Sequence, residues 1–412
     1  MTKHKVSFSE SLILGQQALE RGDFPCAVSL LQHGASLNPL HADCALLLGK
    51  AALLGGDDAL AEQSLQKAIA LGHTESEVFL YLGMAYAGKG QPSLALNAFR
   101  QGLSAQNRTP ALTRQLHYQI GKIYFDWDES ENALSELNAA LAADGENAEL
   151  VTDIFTLKAQ IYDRQNIPEK LEAVLRKLLV LAPADGLTAR ALADTLLKSG
   201  RSEEALAVLH KVQEQVNAPE EKALLFFSTA AIYLERFERA TKDSSEWQQA
   251  AAGAKQALQS ALGENALFPA ARVQCWMSLA ELSARQGNFA DVEEVLSRAL
   301  QDAALSPDAS LKEWVELYKC EFLTGQSRYE AALPIARTLC GSARNAYRFY
   351  GLYAAACLLH LLHREAESQS AYQLAIATYR AFPNDADAKT FLSQALRDTG
   401  HAEEAKIHEN NG

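Results

Sequence analysis

Two sets of small residues recur in the N-terminal part of this chain at a common interval of 34 positions. The first set is Gly15, Gly49 and Gly83, and the second is Ala27, Ala61 and Ala95. Self-similarity at a fixed step of this length is the signature of a protein built by stacking one small unit many times. Because each unit in such a protein contacts only its neighbours, we expect function to reside in an extended surface and not in a deep catalytic pocket.

Residues 76–109 show what one unit contains. A first stripe of residues at helical spacing is followed, after a break that includes Pro92, by a second stripe. The first stripe is Phe79, Leu82, Gly83 and Tyr86, and the second is Ala95, Phe99 and Gly102. Since proline is tolerated in the opening turn of a helix, the pattern predicts two helices of roughly 14 residues joined by a tight turn. The small residues lie where we expect the two backbones to approach most closely.

The order of these residues resembles the tetratricopeptide repeat, whose pattern is W-x2-L-G-x2-Y, then A-x3-F, then P. The first unit carries the pattern as Leu14, Gly15, Ala18, Ala27, Leu31 and Pro39. The resemblance implies an all-α fold, a right-handed α-solenoid superhelix of roughly ten or eleven helix pairs. Because the matching positions are packing residues, the resemblance specifies the fold much more closely than the function.

The quality of the repeat predicts two regions. Residues 8–219 form a regular array, and residues 220–412 form a divergent helical array that ends in a charged capping helix. In the divergent region the second stripe of one unit is delayed to Ala254, so we expect an insertion around 236–249. Pro334 falls inside a predicted second helix, where a proline can produce a kink. The last unit is predicted from Leu392, Leu396, Gly400 and Ala405.

Composition disfavours several functional classes. The formal net charge is −13, with 51 acidic and 38 basic residues and no basic stripe, which argues against a general nucleic-acid binder. The longest apolar runs, such as Ala354–Leu362, are about half of what a membrane span needs. Six cysteines, none in a C-x-x-C pair, are typical of reduced thiols in a cytoplasmic protein. We therefore expect a cytoplasmic protein without a signal peptide, a membrane span or a cofactor.

Catalytic motifs are absent from the sequence. It contains no phosphate-binding loop, no nucleophile elbow and no dinucleotide fingerprint. His360 and His363 stand three positions apart and could offer two zinc ligands from one helix face. The zincin arrangement requires two histidines four positions apart with a glutamate beside the first, and no further ligands are indicated here. We predict no metal site and no enzymatic activity.

The resemblance also implies where a ligand binds, because the first helix of each pair lines the concave face in repeats of this family. The groove residues predicted on this basis are Leu12, Leu46, Lys50, Leu53, Leu80, Met84, Tyr118, Phe125, Arg164, Arg190 and Lys198. We expect residues 8–127 to accept an amphipathic helix or a hydrophobic peptide, while the later charged positions set its polarity or register. The alternative is that a tightly wound superhelix or self-association buries these leucines.

A second contact surface is predicted from an aromatic segment that mixes helix faces. Its residues are Arg344, Tyr347, Arg348 and Tyr350. Arginine beside aromatic residues is enriched at protein interfaces, although core packing is the simpler explanation.

Together these observations predict a protein-interaction adaptor or scaffold, or a chaperone-like carrier, whose partner is a protein or peptide. The alternative is a regulatory or substrate-recruiting subunit of an enzyme complex. Self-association is compatible with both interpretations.

Overall fold

The structure is a computed structural model that describes residues 6–105, 107–143, 147–379 and 397. Within these residues the helices are all α-helices and none of the elements is a strand, so the predicted all-α class is confirmed. The chain divides into two compact units, Met1–Gly200 and Arg201–Gly412. The predicted division after residue 219 concerned the regularity of the repeat, and it stays a prediction.

The helices have the following bounds. In the first unit they are α1 (Phe8–Glu20), α2 (Phe24–Leu37), α3 (Ala42–Leu54), α4 (Asp58–Ala70), α5 (Ser76–Gly88), α6 (Pro92–Ser104), α7 (Pro110–Asp126), α8 (Ser130–Ala142), α9 (Ala148–Arg164), α10 (Pro168–Leu181) and α11 (Gly186–Lys198). In the second unit they are α12 (Ser202–Gln213), α13 (Pro219–Arg239), α14 (Ser245–Gly263), α15 (Pro269–Arg285), α16 (Phe289–Ala304), α17 (Ala309–Gly325), α18 (Tyr329–Cys340), α19 (Asn345–Leu361) and α20 (Glu365–Tyr379). In the described part of the chain, five contacting pairs (α1–α2 to α9–α10) lie in the first unit and four (α13–α14 to α19–α20) in the second, while α11 and α12 flank the boundary between the units. These twenty helices of the described residues agree in number with the ten or eleven predicted pairs.

The close approach predicted at the small residues is present. A Cβ atom placed on Gly49 in α3 would lie only 2.5 Å from Cγ of Leu65 in α4. Gly83 in α5 stands in the same way against the ring of Phe99 in α6. Glycine at these positions therefore lets the two helices of a pair pack around one large apolar side chain.

The turn inside each pair contains one residue with a positive φ angle. In the first three pairs this residue is a glycine, and Gly22, Gly56 and Gly90 again stand 34 positions apart, with φ of 76°, 84° and 70°. The corresponding residues in the later turns are Asp128, Asn166, Gly200, Asp243, Gly287, Ser327 and His363. Glycine adopts this conformation without the steric cost that other residues incur. The positive-φ residues of these turns, whether glycine or not, mark the repeat register in the structure, including the region where the packing residues leave it undefined.

Around residues 236–249, where an insertion is predicted, the pair α13–α14 is longer than the earlier pairs, and most of its added residues extend helices. α13 has 21 residues and α14 has 19, whereas α3 and α4 have 13 each. The added turns bring Phe237 and Trp247 together in the core, with their ring centroids 4.7 Å apart. Helical spacing of buried residues thus continues through the segment that lacks the repeat pattern.

Two further predictions concern the C-terminal part. α18 continues through Pro334, which lies in the middle of the helix, and the hydroxyl of Thr338 donates to the Pro334 carbonyl at 3.1 Å. The predicted last unit and its capping helix lie outside the described residues.

Candidate functional site

In the first unit, the first helices of successive pairs contact one another directly. α1 contacts α3, α3 contacts α5, α5 contacts α7, and α7 contacts α9. The surface formed by these five helices is called the first-helix face below. A side chain on one of them can therefore reach a side chain one repeat away, which makes this surface a candidate binding site.

Most of the predicted apolar groove residues lie half-buried on this face. They contact the core clusters of their own and neighbouring pairs while keeping part of their surface exposed: Leu12 on α1, Leu46 and Leu53 on α3, Met84 on α5, and Tyr118 and Phe125 on α7. The face thus offers a row of partly accessible apolar side chains on adjacent helices.

Leu80 is an exception that corrects the prediction. Its side chain is only 2% exposed and packs with Phe99 on α6 and Leu116 and Ile120 on α7. Because these neighbours enclose it, Leu80 supports the core between two pairs and is not available to a ligand.

A polar cluster joins α3 to α5 on the first-helix face. The Nζ atom of Lys50 lies 3.3 Å from Oε1 of Glu77 and 5.1 Å from the ring centroid of Tyr81. The Tyr81 hydroxyl donates to the same carboxylate oxygen at 3.0 Å. Burial works against the charge on Lys50, but its interactions with Tyr81 and Glu77 prevail and raise its pKa. Lys50 is therefore a fixed cation at neutral pH.

Glu77 and Tyr81 are not among the groove residues predicted from the sequence. Glu77 stands 34 positions after Asp43, and Tyr81 stands 34 positions after Leu47. Their spacing of four positions places them on one face of α5. That spacing was the available signal, but their pairing with Lys50 depends on how α3 packs against α5.

Farther along the face, charged residues accompany the aromatic ones. The guanidinium carbon of Arg164 on α9 lies 3.9 Å from the ring centroid of Phe125 on α7, a cation–π contact between adjacent first helices. Burial raises the pKa of the Tyr118 hydroxyl, and the negative charge of Asp153 on α9 adds to the shift. The structure thus brings Tyr118, Phe125 and Arg164 to one part of the face.

Arg190 and Lys198 lie on the next first helix, α11. Burial raises the pKa of the Asp194 carboxyl. The positive charges of Arg190 and Lys198, each four positions from Asp194, oppose this shift. Asp194 is thus a partly buried carboxyl flanked by two cations on its own helix.

The second predicted surface has extensive contacts within its own chain. Arg344 bonds to Glu313 at 2.9 Å and to Asp308 at 3.3 Å, and Nε of Arg348 donates to the Ser342 carbonyl at 2.8 Å. Tyr347 is half-buried. Burial raises the pKa of its hydroxyl, and the negative charge of Glu313 adds to this shift. The ring of Tyr350 packs 5.6 Å from that of Phe349, which is fully buried. A partner contact here stays a prediction.

The two histidines considered as metal ligands do not share a helix face. His360 lies in the last turn of α19, whereas His363 follows the helix in a turn, with φ of 58°. Nδ1 of His360 lies 3.0 Å from the Glu365 carboxylate. Within the described residues, no group of three or more His, Cys, Asp or Glu side chains could hold a metal ion. The same part of the chain contains no helix that is long and apolar enough to cross a membrane.

Comparison with known proteins gives two family matches. Residues 14–75 and residues 115–147 each match the tetratricopeptide repeat family. The sequence has no match among curated proteins.

Several solved structures resemble the chain in part. A tetratricopeptide repeat protein from Parabacteroides merdae is 18% identical, with a TM-score of 0.40 over 62% of this chain and 93% of that chain. The C-terminal part of a repeat-containing protein from Cytophaga hutchinsonii is 13% identical, with a TM-score of 0.47 over 60% and 98%. A thermophilic protein of this type from Thermus thermophilus is 23% identical, with a TM-score of 0.35 over 46% and 100%.

The two matched segments contain the glycines and alanines on which the helix pairs close. Gly15 and Gly49 fall in the first segment and Gly121 in the second, and each faces a buried leucine of its partner helix. Proteins of this family are in general binding scaffolds without catalytic activity. The helix pairs and the two family matches together identify tetratricopeptide repeats in this chain, at residues 14–75 and 115–147.

Proposed function

We propose that this protein is an interaction scaffold that binds a helix or an apolar peptide of a partner protein along the first-helix face. The row of half-buried apolar side chains on directly contacting helices carries the proposal. Burying such side chains under a partner helix is favourable in proportion to the apolar area removed from water. A helix laid across adjacent repeats would meet Leu46 and Leu53 first and Phe125 farther along.

The charged residues of the face would orient that ligand. Lys50 presents a cation beside the apolar positions, because its charge is held between α3 and α5. Arg164 presents a second cation, 3.9 Å above the Phe125 ring. Charges fixed at two places along a groove favour one direction of binding over the reverse. We therefore propose that the ligand carries an acidic residue that matches Arg164, and a second one that shares the partly exposed Lys50 cation with Glu77.

The protein supplies no catalytic step in this proposal. We propose that it acts in the cytoplasm, since all six cysteines are free thiols. Two roles fit a scaffold of this kind: a carrier that holds varied clients, and a regulatory or substrate-recruiting subunit of an enzyme complex. The identity of the bound partner distinguishes them.

Site-directed photo-crosslinking tests the proposal. A photoreactive phenylalanine analogue is placed at Met84 or Tyr118 on the first-helix face, and at Val180 as a control. Val180 is 79% exposed and lies on the second helix α10. We expect both groove positions to crosslink to the same partner and Val180 to give no such product. Equal crosslinking at Val180, or different partners from the two groove positions, would contradict the proposed groove.

The crosslinked partner is identified by mass spectrometry. The amount of partner captured is then compared between the wild type and Lys50→Glu, which measures how far binding depends on this charge. A single enzyme as a stoichiometric product supports the recruiting subunit, whereas many clients support a carrier. Circular dichroism verifies that each variant keeps its helical content. If a folded Lys50→Glu variant retains full capture, Lys50 does not contact the ligand.

A further inference from the structure

A cleft of about 520 Å³ lies between α12 and α14 in the second unit, with α13 as its floor. The equivalent cleft of the second pair, between α2 and α4 over α3, has a volume of about 170 Å³. Ligand sites in proteins typically have volumes of ~300–1,000 Å³. One cleft of the repeat is thus enlarged into that range.

Equivalent positions in the two pairs account for the larger volume. Ala61 of α4 and Ala254 of α14 are the fully buried alanines that begin the second-helix stripe. In that register, Gly253 stands where α4 has Leu60, so the wall of the larger cleft lacks a leucine side chain. The ring of Tyr233 lies against this glycine and would be 2.7 Å from a Cβ atom placed there.

The lining of the larger cleft is also more polar. Thr229 occupies the position of Leu48, and Gln213 occupies the position of Ala35. Both are buried, with 2% and 7% exposure, and Nε2 of Gln213 donates to the Thr229 hydroxyl at 2.7 Å. The hydroxyl in turn donates to the Leu225 carbonyl at 2.9 Å. Gln213 lines the cleft, and its Oε1 atom has no hydrogen bond among those of the described residues; since no buried side-chain N or O atom there lacks a partner, this carbonyl oxygen keeps some solvent exposure.

These atoms define the chemistry of a ligand. The Gln213 carbonyl oxygen is an acceptor on the cleft wall, and it can receive a backbone N–H of a peptide ligand. Lys222 at the rim lies 3.7 Å from the carboxylate of Glu264, so its charge is matched. Glu214, also at the rim, has no ion-pair partner among the described residues. The cleft therefore carries one unmatched negative charge, and charge complementarity favours a cation beside Glu214.

We propose that this cleft is a second binding site, independent of the first-helix face, for an extended peptide segment of a partner protein. The segment bonds through its backbone to Gln213 and places a lysine or arginine side chain toward Glu214. An apolar side chain of the segment packs on Phe226 of α13, which lines the same cleft.

Fluorescence polarisation with the full-length protein tests the site. The probe is fluorescein-labelled Ala-Leu-Lys-Leu-Ala amide, compared with one analogue in which norleucine replaces lysine and one with an N-methylated backbone. We expect saturable binding of the lysine peptide and about fivefold weaker binding of each analogue, as expected for the loss of one polar contact. Gln213→Ala should weaken binding by a similar factor, and Glu214→Gln should remove the preference for lysine over norleucine.

Gln63→Ala is the matched control, because Gln63 lines the smaller cleft at the position equivalent to Gln256. This variant should bind the lysine peptide as the wild type does. The proposal is overturned by any of three results: no saturable binding at ~1 mM peptide, equal affinity for the norleucine analogue, or equal weakening by Gln63→Ala. Because Glu214 is exposed, Glu214→Gln tests the site even if Gln213→Ala does not fold.

Discussion

The substitution Gly49→Ala has two opposing effects on the stability of the protein, and their sizes can be compared. Alanine is a better helix former than glycine by about 1 kcal/mol in a helix interior. The new methyl group, however, would lie 2.5 Å from Cγ and 2.8 Å from Cδ2 of Leu65. Real Cβ atoms do not come this close to a neighbour, so Leu65 must move, and its side chain is fully buried.

Forcing an additional methyl group into a well-packed core costs about 1–3 kcal/mol. After subtraction of the propensity gain, we expect Gly49→Ala to lower the free energy of unfolding by about 0–2 kcal/mol. Gly121→Ala is the matched control, because there the nearest atoms of Leu137 are 3.1 Å away. A shift of a few tenths of an ångström accommodates that methyl group, so we expect Gly121→Ala to be neutral or stabilising by up to ~1 kcal/mol.

Urea denaturation followed by circular dichroism measures both variants against the wild type. Repeat arrays do not always unfold in one step. The midpoint of the first unfolding transition is therefore compared between variants that show the same dependence of unfolding free energy on urea concentration. In the Leu65→Ala background the contact is absent, so Gly49→Ala should there become neutral or stabilising. The reasoning is refuted if Gly49→Ala stabilises the wild-type protein as much as Gly121→Ala, since the Leu65 contact would then have no cost.

Three further predictions follow from the backbone and the titratable groups. Ser327 has φ of 58°, so Ser327→Gly should stabilise the protein by ~0.5–1 kcal/mol, and an unchanged or lowered melting temperature would contradict this. His73 is bonded to the carboxylates of Asp43 and Glu75; burial opposes its charge, but these bonds raise its pKa above the ordinary value. The contribution of His73 to the free energy of unfolding is therefore fully present below its unfolded-state pKa and is lost as the pH rises through its folded-state pKa. His73→Gln should accordingly lower the free energy of unfolding, measured by urea denaturation, more at about pH 5.5 than at about pH 8.5. Burial raises the pKa of Cys275 to about 12, so its alkylation at about pH 8, followed by mass spectrometry, should be far slower than that of the exposed Cys26.

The fold could be predicted from the sequence because its determinants are local. The position of Gly83 opposite Phe99 follows from helical spacing and a short turn, and both lie within one unit of 34 residues. The helix bounds of the divergent region do not follow from the sequence in the same way, because α13 and α14 contain additional turns and their packing no longer fits the interval of 34 residues. The turn residues with positive φ would have supplied the register there, but Asp243 and Ser327 lack the glycine that makes such a turn visible in a sequence.

The candidate site was predicted only in outline. Leu46 and Leu80 occupy equivalent positions 34 residues apart, and yet Leu46 is half-buried on the first-helix face whereas Leu80 is 2% exposed. The difference arises because Phe99 and the residues of α7 enclose Leu80. A pattern within one unit does not report how large the neighbouring side chains are, and these decide what remains accessible.

The sequence by itself thus determined the all-α class and the repeated helix pair of this protein, because spacing and residue size act within each unit. Only the tertiary structure decided the chemistry of the surfaces. The pairing of Lys50 with Glu77 and the stacking of Arg164 on Phe125 each join two repeats. The cleft over Thr229 depends on three helices at once. Contacts between units depend on the distance and angle at which helices pack, and no single segment of the sequence encodes them.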